Sequence, residues 1–351
     1  MTIKPLLKKD VFDTLKVPLF AFLAAVAVVS VLIFLSSKNP IEALVSFFTS
    51  PFSASYYFGS WLNSATLLTF AAVGMCISFR SGCFNLGGEG QVCLGGFVAA
   101  VTLNLLKGHN NVLALSVSFL AAVISSGLLG LFSGILKAYR NINELLISFL
   151  LSSAILPLVD YAVSGPLRDT KGTLLATPFI DKAFRLKSLL KPSTLNSSIF
   201  IAVAFSVLLG LFLFYTKSGY RLICTGKAPE FSDYCGFNTK KISAFSMFFS
   251  SMAHGLSGFF AVVGTYYTCH AGFYAGMGWN ALSVSLIAKT NPFLVFPASL
   301  LLAYIFTAAD CAVLENNMNF NSAFLVQGVV LFVVSAQFLV KSLNNAKERI
   351  H

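Results

Sequence analysis

The sequence predicts an all-α polytopic membrane protein with about ten transmembrane segments, one of them a short half-helix, with broken helices near the membrane centre. Of the 351 residues, 56% are hydrophobic and only 11% are charged. The mean hydropathy is +0.80, and long apolar runs recur along the whole chain. Because a helix of about 20 apolar residues crosses the hydrocarbon core, and irregular backbone is tolerated there only where it is shielded, these runs are interpreted as helices.

The apolar runs define the predicted segments, and the eighth is too short to cross a bilayer by itself. They cover residues 17–36, 60–79, 91–106, 112–136, 145–163, 197–215, 243–264, 281–290, 293–313 and 322–340. Lysine and arginine concentrate before the first run, in the loop 216–241 and after the last run. Since basic residues favour the cytoplasmic side, both termini are predicted to be cytoplasmic.

No Gly/Ser linker or charged tail divides the chain, so residues 1–351 are predicted to form a single transmembrane domain. Residues 1–16 form its cytoplasmic N-terminal segment, 216–241 a cytoplasmic loop and 164–196 an external loop. The external loop is basic, which conflicts with the charge rule, but placing it inside would move the basic loop 216–241 outside. A short amphipathic helix around 179–190 is expected to lie on the outer face of the membrane.

The composition argues against several other classes of protein. A net charge of +11 would favour nucleic acid or anionic surfaces in a soluble protein, but here topology explains the basic residues, and no nucleic-acid partner is expected. The seven cysteines include no C-x-x-C pair, so neither a disulfide nor a metal site is expected. The chain has no Walker A pattern, so it is expected to bind no cofactor and to be no enzyme.

The stretch from Arg80 to Gln91 carries the strongest local signal. Four glycines fall within nine of its residues, a composition that disfavours helix between two apolar runs. Irregular backbone within a membrane is tolerated only where it borders other helices or a water-filled cavity. The stretch therefore predicts that Asn85, Glu89 and Gln91 lie beside such a cavity. Together with a second Gly-interrupted stretch at 264–278, it is typical of a transport site. The alternative is an ordinary cytoplasmic turn in which Arg80 and Glu89 are solvated.

The same stretch resembles the R-x-G-x-F-N-I-G-x-E-G-Q motif of permease subunits in the branched-chain amino acid, ribose and nucleoside group of bacterial ABC importers. Among these it is most similar to the nucleoside-type permeases that work with a basic membrane lipoprotein. The resemblance extends over about 60–340. Three further stretches are similar to family motifs in the same order, namely 143–147 to N-E-V-I, 221–238 to R-x-x-G-x-N-x-x-A-A-x-Y-x-G-I-N, and 276–286 to G-Y-G-F-D-x-I-A-V-A-L.

The resemblance implies a substrate pathway and two cytoplasmic surfaces that couple to an ATPase. The pathway would be lined by Phe84, Asn85, Glu89, Gln91, Trp279 and Asn280. Coupling would involve Asn143, Glu144, Gly226, Lys227, Asp233, Tyr234 and Gly236. We expect Phe84 and Trp279 to offer stacking surfaces for a base or sugar ring. At position 280 the family usually has Asp, so an amide here replaces a carboxylate that could bind ribose hydroxyls.

The residues themselves also bear on the two coupling surfaces. Pro229 can open a short helix within 216–241 that an ATPase could push, although any cytoplasmic loop is basic by the charge rule alone. Asn143 and Glu144 are typical of a helix N-cap and a first-turn acid, a structural role that is compatible with docking.

These features predict the transmembrane permease subunit of an ABC importer in the bacterial inner membrane. Its cargo would be a nucleoside, first of all a purine nucleoside, or a related simple sugar such as ribose or galactose. The expected partners are separate ATP-binding subunits, a second permease copy or a sister permease, an external substrate-binding lipoprotein, and membrane lipid. The alternative is a proton-coupled secondary transporter in which Glu89 titrates within the membrane.

Overall fold

A computed structural model describes residues 39–316 continuously, together with isolated positions between 23 and 37 and residue 328. The described part is all-helical, and its only β-type pairs are isolated bridges. In chain order the continuous helices are α1 (Pro40–Ser53), α2 (Ser55–Arg80), α3 (Gly88–Leu105), α4 (Asn111–Arg140), α5 (Glu144–Ser164), α6 (Ser198–Tyr215), α7 (Lys217–Lys227), α8 (Pro229–Tyr234), α9 (Thr239–Phe260), α10 (Met277–Ile287) and α11 (Pro292–Glu315).

Six helices of the described region are long and apolar enough to cross a membrane: α2, α4, α5, α6, α9 with its extension, and α11. The predicted runs 17–36 and 322–340 lie outside the continuously described residues, so the total of ten segments stays a prediction. The short eighth segment is confirmed as an apolar helix of 11 residues, α10. At 1.5 Å per residue it is about 16 Å long, which is about half the hydrocarbon thickness.

The ends of α4 and α5 follow from local chemistry. The chain leaves α4 at Asn141, which adopts the left-handed conformation with φ of 53°. Asn143 then caps α5, because its side-chain oxygen accepts a hydrogen bond of 2.9 Å from the Leu145 amide. The predicted N-cap is thereby confirmed, and so is the short helix at Pro229, where the proline occupies the first turn of α8.

Helices α2 and α9 form the centre of the described bundle. In each, 83% of the membrane-length apolar window is buried, whereas the corresponding share in α5 is 22%. Helix α9 packs against α2, α3 and α4. Small residues permit this close approach: Gly74 lies against Ser250 and Ala253 of α9, and Gly95 of α3 lies against Gly255. Helices with much exposed apolar surface, such as α5, are left to face lipid or a partner.

Helix α9 continues as a π-helical turn, Ala261–Tyr266, and ends where Tyr267 adopts a left-handed φ of 60°. The chain then runs irregularly to Gly276, whose φ of 77° starts α10. The loop 164–196 lies beside this irregular segment and forms backbone hydrogen bonds with it.

The expected surface helix around 179–190 is wrong. The loop holds only a 3-10 turn, Lys182–Phe184, and Ile180 and Phe184 are 0% and 2% exposed. Its backbone pairs with the segment that leads to α10; the Ile180 amide, for example, donates to the Tyr267 carbonyl at 2.9 Å. Apolar burial of these two side chains and backbone pairing therefore attach this part of the loop to the helix bundle, and no amphipathic surface helix forms there. The loop's side of the membrane stays a prediction.

Candidate functional site

The chain between α2 and α3 is irregular, but the break is shorter than the glycines predicted. Gly88 already belongs to α3, as do Gly90 and Gly95. Their missing side chains serve packing, because a Cβ at Gly90 would overlap the backbone of Ser152 in α5. Close helix contacts, in which any side chain would clash, override the low intrinsic helix propensity of glycine here.

Asn85 and Gln91 form a buried amide pair across this break. The Asn85 Nδ2 donates to Gln91 Oε1 at 2.9 Å, and Gln91 Nε2 donates to Asn85 Oδ1 at 3.0 Å. Asn85 also donates to the hydroxyls of Ser250 and Ser251, at 3.1 and 3.2 Å. Both amides are almost completely buried. The pair therefore fixes the first residues of α3 against α9 and leaves few hydrogen-bonding positions for a substrate.

One face of α5 holds the other side of the break through three polar side chains spaced one helical turn apart. Each accepts a backbone N–H of the broken segment or the start of α3: Glu144 Oε1 from Phe84 at 3.3 Å, Ser148 Oγ from Leu86 at 3.0 Å, and Ser152 Oγ from Gly90 at 2.7 Å. We call Glu144, Ser148 and Ser152 the α5 ladder. It satisfies amides that would otherwise be unpaired at membrane depth.

Glu89 joins the two predicted broken stretches. Its Oε2 accepts a 3.0 Å hydrogen bond from the Gly278 amide in the first turn of α10. A Cβ at Gly278 would overlap the backbone of Gly88 and Glu89, so the starts of α3 and α10 are in contact. We call this contact the crossing. A carboxylate placed there caps α10 and offsets the positive ends of both helix dipoles.

Two buried acceptor atoms beside the crossing have no hydrogen-bond partner within the described region. His254 Nδ1 lies 2.8 Å from the Ser250 carbonyl, which can only accept, so the proton is on Nδ1 and Nε2 is an acceptor. Both His254 Nε2 and Asn280 Oδ1 lack a partner. Since such groups are normally satisfied, the crossing can still accept hydrogen bonds from water or from a passing solute.

Trp279 adjoins Gly278 on the open side of the crossing, and Phe84 lies in the broken segment before α3. Phe84 is 37% exposed and Trp279 is 39% exposed. The ring of Phe149 lies 6.3 Å from that of Trp279, measured between centroids. Of the six predicted pathway residues, these two aromatic side chains are the accessible ones, whereas Asn85, Gln91, Glu89 and Asn280 are buried.

The two predicted coupling stretches meet the same turn of the chain. Gly226 in α7 packs directly on Arg80–Gly82, where an added Cβ on Gly82 would lie 3.1 Å from the Gly226 Cα. Glu144, from the other stretch, bonds to Phe84 two residues further along. The end of α2 is thus held by both stretches at once.

The remaining predicted coupling residues lie away from this turn. Lys227 is exposed, and Tyr234 is 93% exposed. Asp233 accepts a 2.6 Å hydrogen bond from the Thr239 hydroxyl, which ties α8 to the start of α9. Gly236 has a φ of 78° and open space around it. This part of the loop 216–241 presents a surface, whereas Gly226 is its contact with the interior.

Sequence reasoning missed three residues of this site. Lys137 was assigned no role in the site, yet its Nζ lies 2.6 Å from Glu144 Oε1 and 2.9 Å from the Gly82 carbonyl oxygen. Ser148 and Ser152 were not singled out. The usable signal was the spacing of Glu144, Ser148 and Ser152, polar residues at every fourth position in the first, mainly apolar turns of the helix.

Comparison with known proteins then decides the family. Residues 57–335 match the family described as branched-chain amino acid transport system / permease component. The chain belongs to this permease family. The resemblance found in the motifs is thereby confirmed, and the chain is a multi-pass membrane permease of the ABC type, whose ATPase is a separate subunit.

Three relatives illustrate the range of the family. The chain is 37% identical to the "Probable riboflavin import permease protein RfuC" of Treponema pallidum, over 91% of this chain and 84% of the relative. It is 24% identical to the guanosine ABC transporter permease protein NupP of Bacillus subtilis, over 93% and 94%. It is also 24% identical to the glucose ABC transporter permease protein TsgB13 of Haloferax volcanii, over 92% and 87%.

These findings do not support the alternative of a proton-coupled secondary transporter. The guanosine and glucose relatives are ABC transporter permease proteins, and the Glu89 carboxylate already has a structural partner in the Gly278 amide.

Proposed function

We propose that this permease imports a heteroaromatic compound carrying a ribityl or ribosyl chain across the bacterial inner membrane, with riboflavin as the first candidate and a purine nucleoside as the second. The ranking rests on sequence identity, which is 37% to the relative named as a riboflavin import permease and 24% to the guanosine permease. The sequence alone favoured purine nucleosides. A simple sugar is the third candidate, supported by the glucose permease relative.

The proposed pathway passes the open side of the crossing. Phe84 and Trp279 would stack on the flat ring system of the cargo, a mode of contact that tolerates either a flavin or a purine. Asn280 and Glu89 would lie behind them as polar groups near the ribityl or ribosyl hydroxyls. In this arrangement Asn85 and Gln91 would position the start of α3 without touching the cargo.

The proposed assembly contains a second permease copy or a sister permease. Support comes from α5, whose Phe149 is 43% exposed beside Trp279 and whose Leu146 and Leu150 are each 55% exposed. A face of this kind next to a pathway is suited to a partner that closes the other side of the pathway. Two ATP-binding subunits and an external substrate-binding lipoprotein would complete the importer.

The proposed coupling route begins at α8, the exposed element of the loop 216–241. An ATPase that moves α7 and α8 would move Gly226, and Gly226 packs on Arg80–Gly82. Movement of this turn would displace the broken segment and so Phe84. Asn143 and Glu144 would form the second contact with the ATPase, since they hold the same segment through Phe84. Nucleotide state would thereby bias which face of the pathway is open.

Uptake into proteoliposomes tests the proposal. The permease would be reconstituted with its ATPase and binding protein, and ATP-dependent accumulation of riboflavin, guanosine and ribose would be compared. Riboflavin accumulation that requires all three components is the expected result, and replacing Trp279 by Ala should reduce it at least tenfold. Transport of ribose alone would overturn the heteroaromatic assignment, and uptake by the permease without ATPase would overturn the importer mechanism.

A further inference from the structure

A long apolar groove runs along the side of the bundle, away from the crossing. A cavity of about 510 Å³ lies between α6 on one side and α4 and α9 on the other, and it extends under α7. A second cavity of about 450 Å³ lies further along α4 and α9, and both are lined by Phe119 and Leu120. We call the two cavities together the lateral groove.

The length of the lateral groove is close to the thickness of a bilayer's hydrocarbon core. Its lining on α9 begins at Ile242 and reaches Val263 in the π-helical extension. At the helical rise of 1.5 Å per residue this is about 30 Å, which matches the hydrocarbon core of a membrane. The walls also open outward, because Leu120 is 54% exposed and Phe249 is 49% exposed.

Water is a poor occupant of the larger cavity. At about 30 Å³ per molecule, more than a dozen waters would fit, and each would need two to four polar partners. The lining side chains with polar groups are Ser218 and Ser246, and the Ser246 hydroxyl already bonds to Ser81 at 2.6 Å. A hydrocarbon chain matches the lining.

Two exposed lysines lie beside the end of the groove next to α7. Lys217 adjoins the lining residue Ser218, and Lys241 adjoins the lining residue Ile242. Both lysines are exposed, and within residues 39–316 neither makes an ion pair or a side-chain hydrogen bond. An apolar slot with ammonium groups at its mouth is complementary to a lipid with an anionic headgroup.

Other occupants fit this charge less well. The chain beyond the described residues includes the apolar run 322–340, but Lys341 follows it immediately, with Lys347 and Arg349 after that. Since both this tail and Lys217 are predicted to be cytoplasmic, seating the run in the groove would bring like charges together. A second copy of the chain has the same orientation in the membrane and would bring its own lysines to the same level.

We propose that the lateral groove is a binding site for an anionic phospholipid, whose acyl chain lies between α6 and α4–α9 and whose phosphate meets Lys217 and Lys241. The site is separate from the crossing and does not depend on which cargo the permease carries.

Lipid retention measured by native mass spectrometry tests this site. The purified chain would be delipidated, exposed to vesicles of phosphatidylglycerol or of phosphatidylcholine, and washed. Preferential retention of phosphatidylglycerol is expected. Because each basic residue near an anionic surface changes affinity by roughly fivefold, the variant K217Q/K241Q should reduce this preference by roughly 25-fold. Removing two exposed lysines elsewhere, in K107Q/K171Q, should leave it unchanged.

A second variant tests the slot itself. Leu120→Trp places a bulkier side chain where the two cavities meet, and it should reduce retention of both lipids. Thermal unfolding checks that the variant is folded. Equal retention of the two lipids by the unmodified chain, or unchanged retention in both variants, would overturn the proposal.

Photo-crosslinking identifies the occupant directly. With p-benzoylphenylalanine at position 249, in membranes containing phosphatidylglycerol, the expected product is the chain plus one phospholipid. A crosslink to residues 322–340, or to a second copy of the chain, would show that protein fills the groove and would likewise contradict the proposal.

Discussion

Lys137, in the last turn of α4, forms an ion pair of 2.6 Å with Glu144, in the first turn of α5. The same ammonium donates to the Gly82 carbonyl at 2.9 Å, and the same carboxylate accepts from the Phe84 amide at 3.3 Å. The two side chains are 25% and 12% exposed. The ion pair therefore connects α4 and α5, and it also holds the turn from Gly82 to Phe84 at both ends. Removing either side chain would leave the other charged group poorly solvated.

Replacing Lys137 by Met should destabilise the permease and impair coupling. The Glu144 carboxylate and the Gly82 carbonyl would lose a donor, and since the pair is partly exposed we expect a loss of about 2 kcal/mol, below the range for fully buried pairs. Thermal unfolding in detergent measures the stability. ATP-driven uptake per folded molecule should fall further than the stability loss explains, because the turn that carries Phe84 is no longer held.

The controls for this variant are Lys137→Arg, which retains the charge, and Lys171→Met, which removes an exposed charge in another loop. The double variant K137M/E144Q should lose less stability than the sum of its single changes, because the two partners interact. If uptake per folded molecule in K137M equals that of the unmodified protein, the ion pair has no part in coupling.

The α5 ladder offers a matched pair of neighbouring serines. Ser152 is buried and accepts the Gly90 amide at 2.7 Å, whereas Ser153 is exposed on the same helix. Ser152→Ala should cost roughly 1–3 kcal/mol, because a buried N–H loses its acceptor. Ser153→Ala should change the melting temperature little. Equal effects of the two changes would mean that another group satisfies the Gly90 amide.

Contact at the crossing predicts the effect of adding one methyl group. Gly278→Ala would place a Cβ against the backbone of Gly88 and Glu89, which cannot move aside as a flexible side chain can. We expect a destabilisation of about 1–3 kcal/mol or a failure to fold. At Gly172 the nearest atom to an added Cβ, a carboxylate oxygen of Asp169, is 3.6 Å away. Gly172→Ala should therefore be tolerated, and the comparison requires only expression level and thermal unfolding.

The helices of this protein could be predicted because apolar runs of membrane length have few other structures available to them. The eighth run was short, and it forms a short helix, α10. The cap at Asn143 and the start at Pro229 were also predictable, because these residue types act on the backbone next to them. Local chemistry and hydrophobic length thus determine most helix positions.

Contacts between distant segments could not be predicted in this way. Helical glycines such as Gly90 violate propensity because of a neighbour on α5 that no local pattern reveals. The burial of Ile180 has a similar cause, since its backbone partner, Tyr267, is far away in sequence. Glu89 was predicted to lie beside the break, but its partner, the Gly278 amide, is known only from the fold. Composition located the candidate site, and tertiary packing determined what each residue does there.

Substitutions of Glu89 can distinguish a role as a helix cap from a role as a proton carrier. Glu89→Gln retains a side-chain oxygen that can accept from the Gly278 amide, although it loses the charge that favours the helix dipoles, worth about 0.3–1 kcal/mol. Glu89→Ala removes the acceptor, and the unpaired amide should cost roughly 1–3 kcal/mol. The expected order of thermal stability is therefore unmodified, Gln, then Ala, with Glu42→Gln at an exposed site as the control.

Uptake by these variants separates the two roles. If Glu89 is a cap, the Gln variant should retain most ATP-driven uptake, and an uncoupler should affect it no more than it affects the unmodified protein. The Ala variant should lose uptake together with stability, since the starts of α3 and α10 are no longer joined. A Gln variant that is as stable as the unmodified protein but transports nothing would contradict the cap assignment, because the amide preserves the hydrogen bond and removes only the titratable proton.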